Sequence, residues 1–292
     1  MYPTFFESAA VSLHTWGLMV TLAFTAAAGV AHWRAPKVGI DPDKLVSMYV
    51  VLAVTGLVGA RLLHFLFAER EAFLADPLIF FSCAGGWAFY GGAIGGGLGA
   101  VLVARARKLP VWKLADVFAP SLMLGYAIGR MGCFAAGCCH GGVLDQPVLD
   151  TVLSLPAGEI LRVEGAPWLA LQFTPGVGVG ALRGQPLFPS QLLEMGVGIV
   201  LFGLLSWMWR SGRRFDGQVV AALLVAYAGM RSFTEQFRGD AIRGLYDLGP
   251  VSLSTSQIVS VAMVVLAAGL VAWRLPKGLA PEAPFEPPEP VV

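Results

Sequence analysis

The chain has 292 residues, 56% apolar and only 13% charged, with a formal net charge of +1 and a mean hydropathy of +0.69. A soluble domain carries about 25% charged residues, so this chain has too few to cover an aqueous surface, and a charge near zero excludes nucleic-acid binding by bulk electrostatics. Four cysteines are too few for a disulfide-built secreted scaffold, which leaves an all-α polytopic membrane protein as the expected class.

A helix crosses the hydrocarbon in about 20 residues. In chain order, the apolar runs predict seven spans: 11–33, 46–68, 78–104, 114–137, 189–209, 218–237 and 255–274. Residues 1–10 hold Glu7 and no Lys or Arg, so the first run lacks the basic flank of a cleavable signal and reads as a permanent helix. The third run is overlong and carries eight glycines between Gly85 and Gly99. That predicts either a re-entrant start or a helix with very close neighbours, because glycine lets backbones approach. Residues 140–188 are a long loop whose Pro, Gly and short apolar runs predict small strands, with WLALQFT (168–174) the best of them. Residues 276–292 are Pro-rich and mildly acidic and predict a disordered tail.

Lys and Arg set the orientation. Twelve fall on one side of the predicted membrane: Arg34, Lys37, Lys44, Arg105, Arg107, Lys108, Lys113, Arg210, Arg213, Arg214, Arg274 and Lys277. Five fall on the other: Arg70, Arg162, Arg183, Arg238 and Arg243. The N-terminus is therefore expected outside, the C-terminus in the cytoplasm, and the 138–188 loop outside.

Arg61, Arg130 and Arg231 fall within spans. A charge at the bilayer centre costs at least about 2.5–3.5 kcal/mol, so each is a functional suspect. Structural ion pairing or snorkelling is the alternative, and for Arg61 it is as good a reading. Arg130 is flanked by Gly129 and Gly132, which would leave its guanidinium open to a ligand. Arg231, Glu235 and Arg238 share a helical face by their i, i+4 and i+3 spacing, and Glu235 would neutralise and orient Arg231. Converging guanidiniums make a forked receptor for phosphate, and at this depth the abundant phosphate is a lipid headgroup. Glu194 opens the fifth span, while Asp116 and Asp216 sit near span ends as interfacial groups. Tyr90 places a phenol beside the bare backbone of Gly91 and Gly92; an interfacial belt residue is the bland alternative.

The cysteines are Cys83 and the three of CFAAGCCH: Cys133, Cys138 and Cys139, ending at His140. The run lacks the second half of a zinc site and is not a haem attachment motif, so no metal is expected. Oxidative pairing outside the membrane and inert buried thiols both stay open. His14 and His64 read as ordinary polar groups at a helix end or bundle interior.

Together these segments resemble the prolipoprotein diacylglyceryl transferase family over roughly residues 10–275. The family signature G-R-x-G-N-F-x-N-G-E-x-x-G is matched by Gly129-Arg130-Met131-Gly132-Cys133-Phe134-Ala135-Ala136-Gly137-Cys138-Cys139-His140-Gly141. Its H-P-S/T-Q-L-Y-E segment is matched by residues 188–194, its R-x-x-x-E-x-x-R by Arg231, Glu235 and Arg238, its H-W-Y-G-L by residues 14–18, and its H-G-G by Tyr90-Gly91-Gly92. The departures are Tyr90 for the family's histidine, Cys133 and Cys138 for the signature Asn and Glu, and Trp16 for a tyrosine.

The resemblance implies a seven-span inner-membrane enzyme with a small periplasmic head and no metal or organic cofactor. It would move the diacylglyceryl group of phosphatidylglycerol to the lipobox cysteine of a prolipoprotein signal peptide, releasing glycerol 1-phosphate. Arg130, Arg231, Glu235 and Tyr90 are the catalytic positions it suggests; Arg130, Arg231, Gly91, Gly92, Gly141, Arg238 and Trp16 would bind substrate. A cationic pocket favours the attacking thiolate and the charge on the departing phosphate. Tyr90, a phenol, would be a poor base at neutral pH. Two other readings remain: a thiol oxidoreductase built on Cys133, Cys138 and Cys139, and a lipid-binding paralogue without chemistry.

Overall fold

With no water in the hydrocarbon, a spanning segment must bond its N–H and C=O groups internally, which selects helices. Among the described residues of this computed structural model, six helices are long and apolar enough to cross a membrane. They are α1 (Thr15–Arg34), α2 (Asp43–Phe67), α4 (Phe89–Ala106), α5 (Val111–Ala136), α6 (Ser190–Ser211) and α8 (Thr255–Arg274), with the short α3 (Arg70–Ala75) after α2. Residues of the predicted sixth span form α7 (Gln218–Thr234), which is one residue shorter than α4, is not among those six, and is continued by a 3-10 turn at Glu235–Phe237. The structure describes residues 4–7, 12–81, 86–145, 148–155, 158–164, 169–173, 185–237, 245–247 and 252–277. The predicted tail beyond residue 277 lies outside them. The chain divides into two units, residues 1–30 with 116–280 and residues 31–115 with 281–292.

In the unit of residues 31–115, the predicted third span is corrected. Residues Pro77–Phe81 form a 3-10 turn and the helix starts only at Phe89. Gly91, Gly92, Gly95, Gly96, Gly97 and Gly99 lie inside that helix, and α2 packs directly on it. A Cβ at Gly91 would lie 2.6 Å from Leu63 Cβ and 2.8 Å from the Gly59 carbonyl carbon; one at Gly95 would lie 3.1 Å from Gly59 Cα; one at Gly99 would lie 3.1 Å from Thr55 Cβ. The i, i+4, i+8 spacing keeps all three on one face, a small-residue seam. Gly91→Ala is expected to cost about 1–3 kcal/mol by overpacking. Gly97→Ala, which meets nothing within 4 Å, should be neutral or slightly stabilising. Thermal unfolding of the two variants in detergent checks the contrast; equal midpoints would refute the seam.

Arg61 is structural. It is 2% exposed, donates to the carbonyls of Ile79, Phe80 and Gly86 (3.2, 3.1 and 3.3 Å), and stacks on Phe65 and Trp87. These bonds tie the 3-10 turn at Pro77–Phe81 and Gly86 to α2. His64 accepts from Gly86 N–H at 2.9 Å, also an ordinary polar role.

In the unit of residues 1–30 and 116–280, β1 (Thr4–Glu7) and β2 (Ser12–His14) pair as an antiparallel hairpin, which moves the start of the first span from residue 11 to Thr15. The long loop holds an antiparallel meander of β3 (Val148–Leu155), β4 (Gly158–Val163) and β5 (Leu169–Phe173), with β5 inside the predicted WLALQFT. Leu161, Val163 and Ala170 form its buried core. Leu187 and Leu171 exchange both backbone bonds at 2.8 Å, tying this sheet to the residues that lead into α6. The hairpin β6 (Leu245–Asp247) and β7 (Ser252–Ser254) precedes α8, whose start Ser254 and Gln257 close reciprocally as a capping box.

Asp116 is fully buried. Its carboxylate accepts from Gly217 N–H (2.8 Å) and Val220 N–H (3.0 Å), serving the orphan donors at the start of α7. Asp216, also buried, stands 3.8 Å from Arg274. Glycine again allows close approach: a Cβ at Gly132 on α5 would lie 2.7 Å from Met19 Cβ on α1, and one at Gly198 on α6 would lie 3.2 Å from Ala127 Cβ on α5.

Candidate active site

Helical periodicity places Tyr126, Arg130 and Cys133 on one face of α5, at i, i+4 and i+7. The first turns of α6 carry Ser190, Gln191 and Glu194, all essentially buried. The last turn of α7 carries Arg231, and the first turn of α8 carries Ser256. These elements meet at the Glu194 carboxylate, 1% exposed. Its Oε2 accepts from the Tyr126 hydroxyl and pairs with Arg130 Nη2. Its Oε1 stands 3.7 Å from Arg231 Nη1. Arg130 Nε also donates to the Tyr126 hydroxyl at 3.1 Å. Arg231 Nη2 pairs with Glu235 at 3.0 Å and donates to Ser256 Oγ at 2.9 Å.

Two guanidiniums thus face two carboxylates. In a low-dielectric interior two unpaired cations would repel strongly; Glu194 and Glu235 hold them together. Neither guanidinium is fully committed. Arg130 Nη1 has no protein acceptor among the described residues, and the side chain keeps 13% exposure. Arg231 Nη1, at 3.7 Å from Glu194, is beyond hydrogen-bond length. Arg231 Nη1 is itself buried, so the arm left open toward a tetrahedral oxyanion such as phosphate is that of Arg130.

Beyond α5 the chain turns back on itself. Gly137 takes the left-handed conformation (φ 73°), and so does Cys139 (φ 59°), which is unusual for a residue with a Cβ. Cys138 N–H donates to Cys133 O at 3.1 Å, Gln191 Nε2 donates to Cys138 O at 2.8 Å, and Ser190 Oγ donates to Cys139 O at 2.9 Å. The sulfurs of Cys133, Cys138 and Cys139 consequently lie within 4.8 Å of one another. Hydrogen bonds with Cys133 and Cys139, with burial added, push the Cys138 thiol well above its ordinary range, so it is a poor thiolate nucleophile.

Of the residues singled out from sequence, Arg130, Arg231 and Glu235 come together here. Trp16, 38% exposed on α1, lies instead near Gly132 of α5, where a Cβ would be 3.9 Å from its ring; two residues from Arg130, that is not the helix face that carries the guanidinium. Gly141 is buried, donates to Phe188 O at 2.8 Å and leaves no room for a side chain: a Cβ would lie 2.7 Å from Phe188 Cβ. It positions the start of α6. Tyr90, Gly91 and Gly92 belong to the other unit, on the first turn of α4, where Gly91 is turned toward α2. Arg238 lies outside the described residues. Sequence reasoning did not place Tyr126, Ser190, Gln191, Glu194 or Ser256 in the site. Two signals were present: Tyr126 precedes Arg130 by one helical turn, and Glu194 is a carboxylate in an apolar run. Nothing local marks Ser256.

The family model described as prolipoprotein diacylglyceryl transferase matches residues 3–273. The phosphatidylglycerol–prolipoprotein diacylglyceryl transferase of Proteus mirabilis is 33% identical over 277 residues, covering 93% of this chain and 91% of its own. That of Bordetella parapertussis is 34% identical over 269 residues, covering 89% and 90%. Transferase 2 of Clostridium perfringens is 28% identical over 268 residues, covering 91% and 92%.

Proposed function

The chain belongs to the prolipoprotein diacylglyceryl transferase family, and on that premise we propose that it joins the diacylglyceryl group of phosphatidylglycerol to the lipobox cysteine of prolipoproteins. The sulfur attacks the glyceryl carbon bonded to the phosphate oxygen. The C–S bond forms as that C–O bond breaks, its electron pair leaves with glycerol 1-phosphate, and the thiol proton is given up on ionisation. The single observation that supports this reading is the convergence of Arg130 and Arg231 on Glu194. The remaining N–H arm of Arg130 would grip the headgroup phosphate, and the two guanidiniums together would stabilise the charge that grows on it. Glu235 and Ser256 orient Arg231, and Tyr126 orients Arg130.

In this reading α7 and its 3-10 continuation form a seventh span, the positive-inside bias puts the N-terminus in the periplasm of an inner membrane and the tail in the cytoplasm, and the β3–β5 sheet is the periplasmic head. Trp16 and Arg238 would line the lipid site.

Purified protein given phosphatidylglycerol and a lipobox peptide should yield a cysteine carrying diacylglyceryl, read by mass spectrometry. Absence of that product would reject the transferase in favour of a lipid-binding paralogue. The triple variant Cys133→Ser, Cys138→Ser, Cys139→Ser is expected to keep activity within a few-fold of the parent. Its complete loss, with a mixed disulfide trapped on the parent, would favour the oxidoreductase.

A further inference from the structure

The three thiols of Cys133, Cys138 and Cys139 have no task in the transfer reaction, yet the fold holds them together. Cys133 is on the last turns of α5, and the left-handed turn through Gly137 and Cys139 returns the next two thiols toward it. The backbone on either side is pinned by Cys138 N–H on Cys133 O and by Gln191 and Ser190 on the carbonyls of Cys138 and Cys139. The group contains sulfur alone, with no carboxylate or imidazole, and all its sulfurs lie within 4.8 Å of one another. Metal–thiolate bonds of about 2.3 Å put three sulfurs about 4 Å apart in a trigonal plane, so closing on an ion takes less than an ångström of side-chain movement.

We propose that Cys133, Cys138 and Cys139 form a three-sulfur site for a soft monovalent cation of the copper(I) type. Pure thiolate sets select soft ions. Zinc would need a fourth ligand, and the neighbouring His140 directs Nδ1 to Gly141 O at 3.0 Å, outside the sulfur cluster. On binding, each coordinating thiol gives up its proton to solvent and no electron is transferred. Three thiolates and one monovalent ion leave a local charge of −2. Arg130 lies one turn before Cys133 on the same face of α5 and offsets part of it. The site therefore neighbours the phosphate receptor without sharing its ligands.

The test uses the full-length protein in detergent, reduced and then freed of reductant, with silver(I) as a redox-inert probe. Native mass spectrometry should find one silver ion per chain on the parent. Retention should fall at least tenfold in Cys138→Ser, and zinc(II) should be held at least tenfold more weakly. In the parent, bound silver should protect Cys133, Cys138 and Cys139 from alkylation while leaving the alkylation of Cys83, the remaining cysteine, unchanged, as mapped by peptide mass spectrometry. That second measurement needs no variant to fold. No silver on the reduced parent, equal retention in Cys138→Ser, zinc held as tightly as silver, or protection of Cys83 alone would each overturn the proposal.

Discussion

Arg130→Ala is expected to lower diacylglyceryl transfer by about 10²–10³-fold, the loss typical of removing one donor that meets developing negative charge in a site shielded from water. Arg231→Ala is expected to fall in the same range. In the proposed role Arg130 would offer Nη1 to the phosphate, since Nε and Nη2 are held by Tyr126 and Glu194. Alanine removes the charge and the donors together. Lysine at 130 retains the charge but lacks the planar fork that meets Tyr126, Glu194 and a phosphate at once, so Arg130→Lys should recover only part of the loss. The measurement is the initial rate of thioether formation with phosphatidylglycerol and a lipobox peptide, on variants whose unfolding midpoints are recorded alongside. Undiminished rates in both alanine variants would remove the phosphate-receptor assignment.

Glu194→Ala should have the largest effect on stability, because it leaves two mostly buried guanidiniums without the carboxylate they share. Breaking a buried ion pair from one side costs about 3–5 kcal/mol, since the remaining charge stays desolvated. Here the Tyr126 hydroxyl loses its acceptor as well. Glu194→Gln preserves the shape and one acceptor oxygen, so it should cost less while still weakening the hold on both arginines. Denaturation in detergent, compared with Arg130→Ala and with the double variant, measures the coupling: the double variant should be less destabilised than the sum of the two singles. Simple additivity would mean that Glu194 and Arg130 do not act as a pair.

Much of the site was legible locally. An arginine among apolar residues is expensive in lipid, so Arg130 and Arg231 stood out whatever the fold. Glu235 was readable as the Arg231 partner because four residues make one helical turn, and the ion pair is present at 3.0 Å. The glycines of α4 announced close packing, and α2 supplies it through Gly59. Arg61, by contrast, looks the same in sequence as Arg130. Only its bonds to Ile79, Phe80 and Gly86 identify it as a clamp on backbone carbonyls. Asp116 read only as an interfacial group at a span end, because the helix start it caps lies far along the chain at Gly217.

The sequence by itself determined that the chain lives in a membrane, where its apolar helices run, and which charges must be compensated inside them. Those follow from composition and from the 3.6-residue period, which act over a single helix. The tertiary structure alone decided that Glu194, rather than Glu235 only, binds the two arginines together, that Tyr126 and Ser256 complete the set, and that three cysteines converge. Pairings of this kind depend on which helices pack side by side and how far each is rotated, and on the cost of leaving a buried charge unpaired once water is gone. No local pattern in the chain encodes that cost.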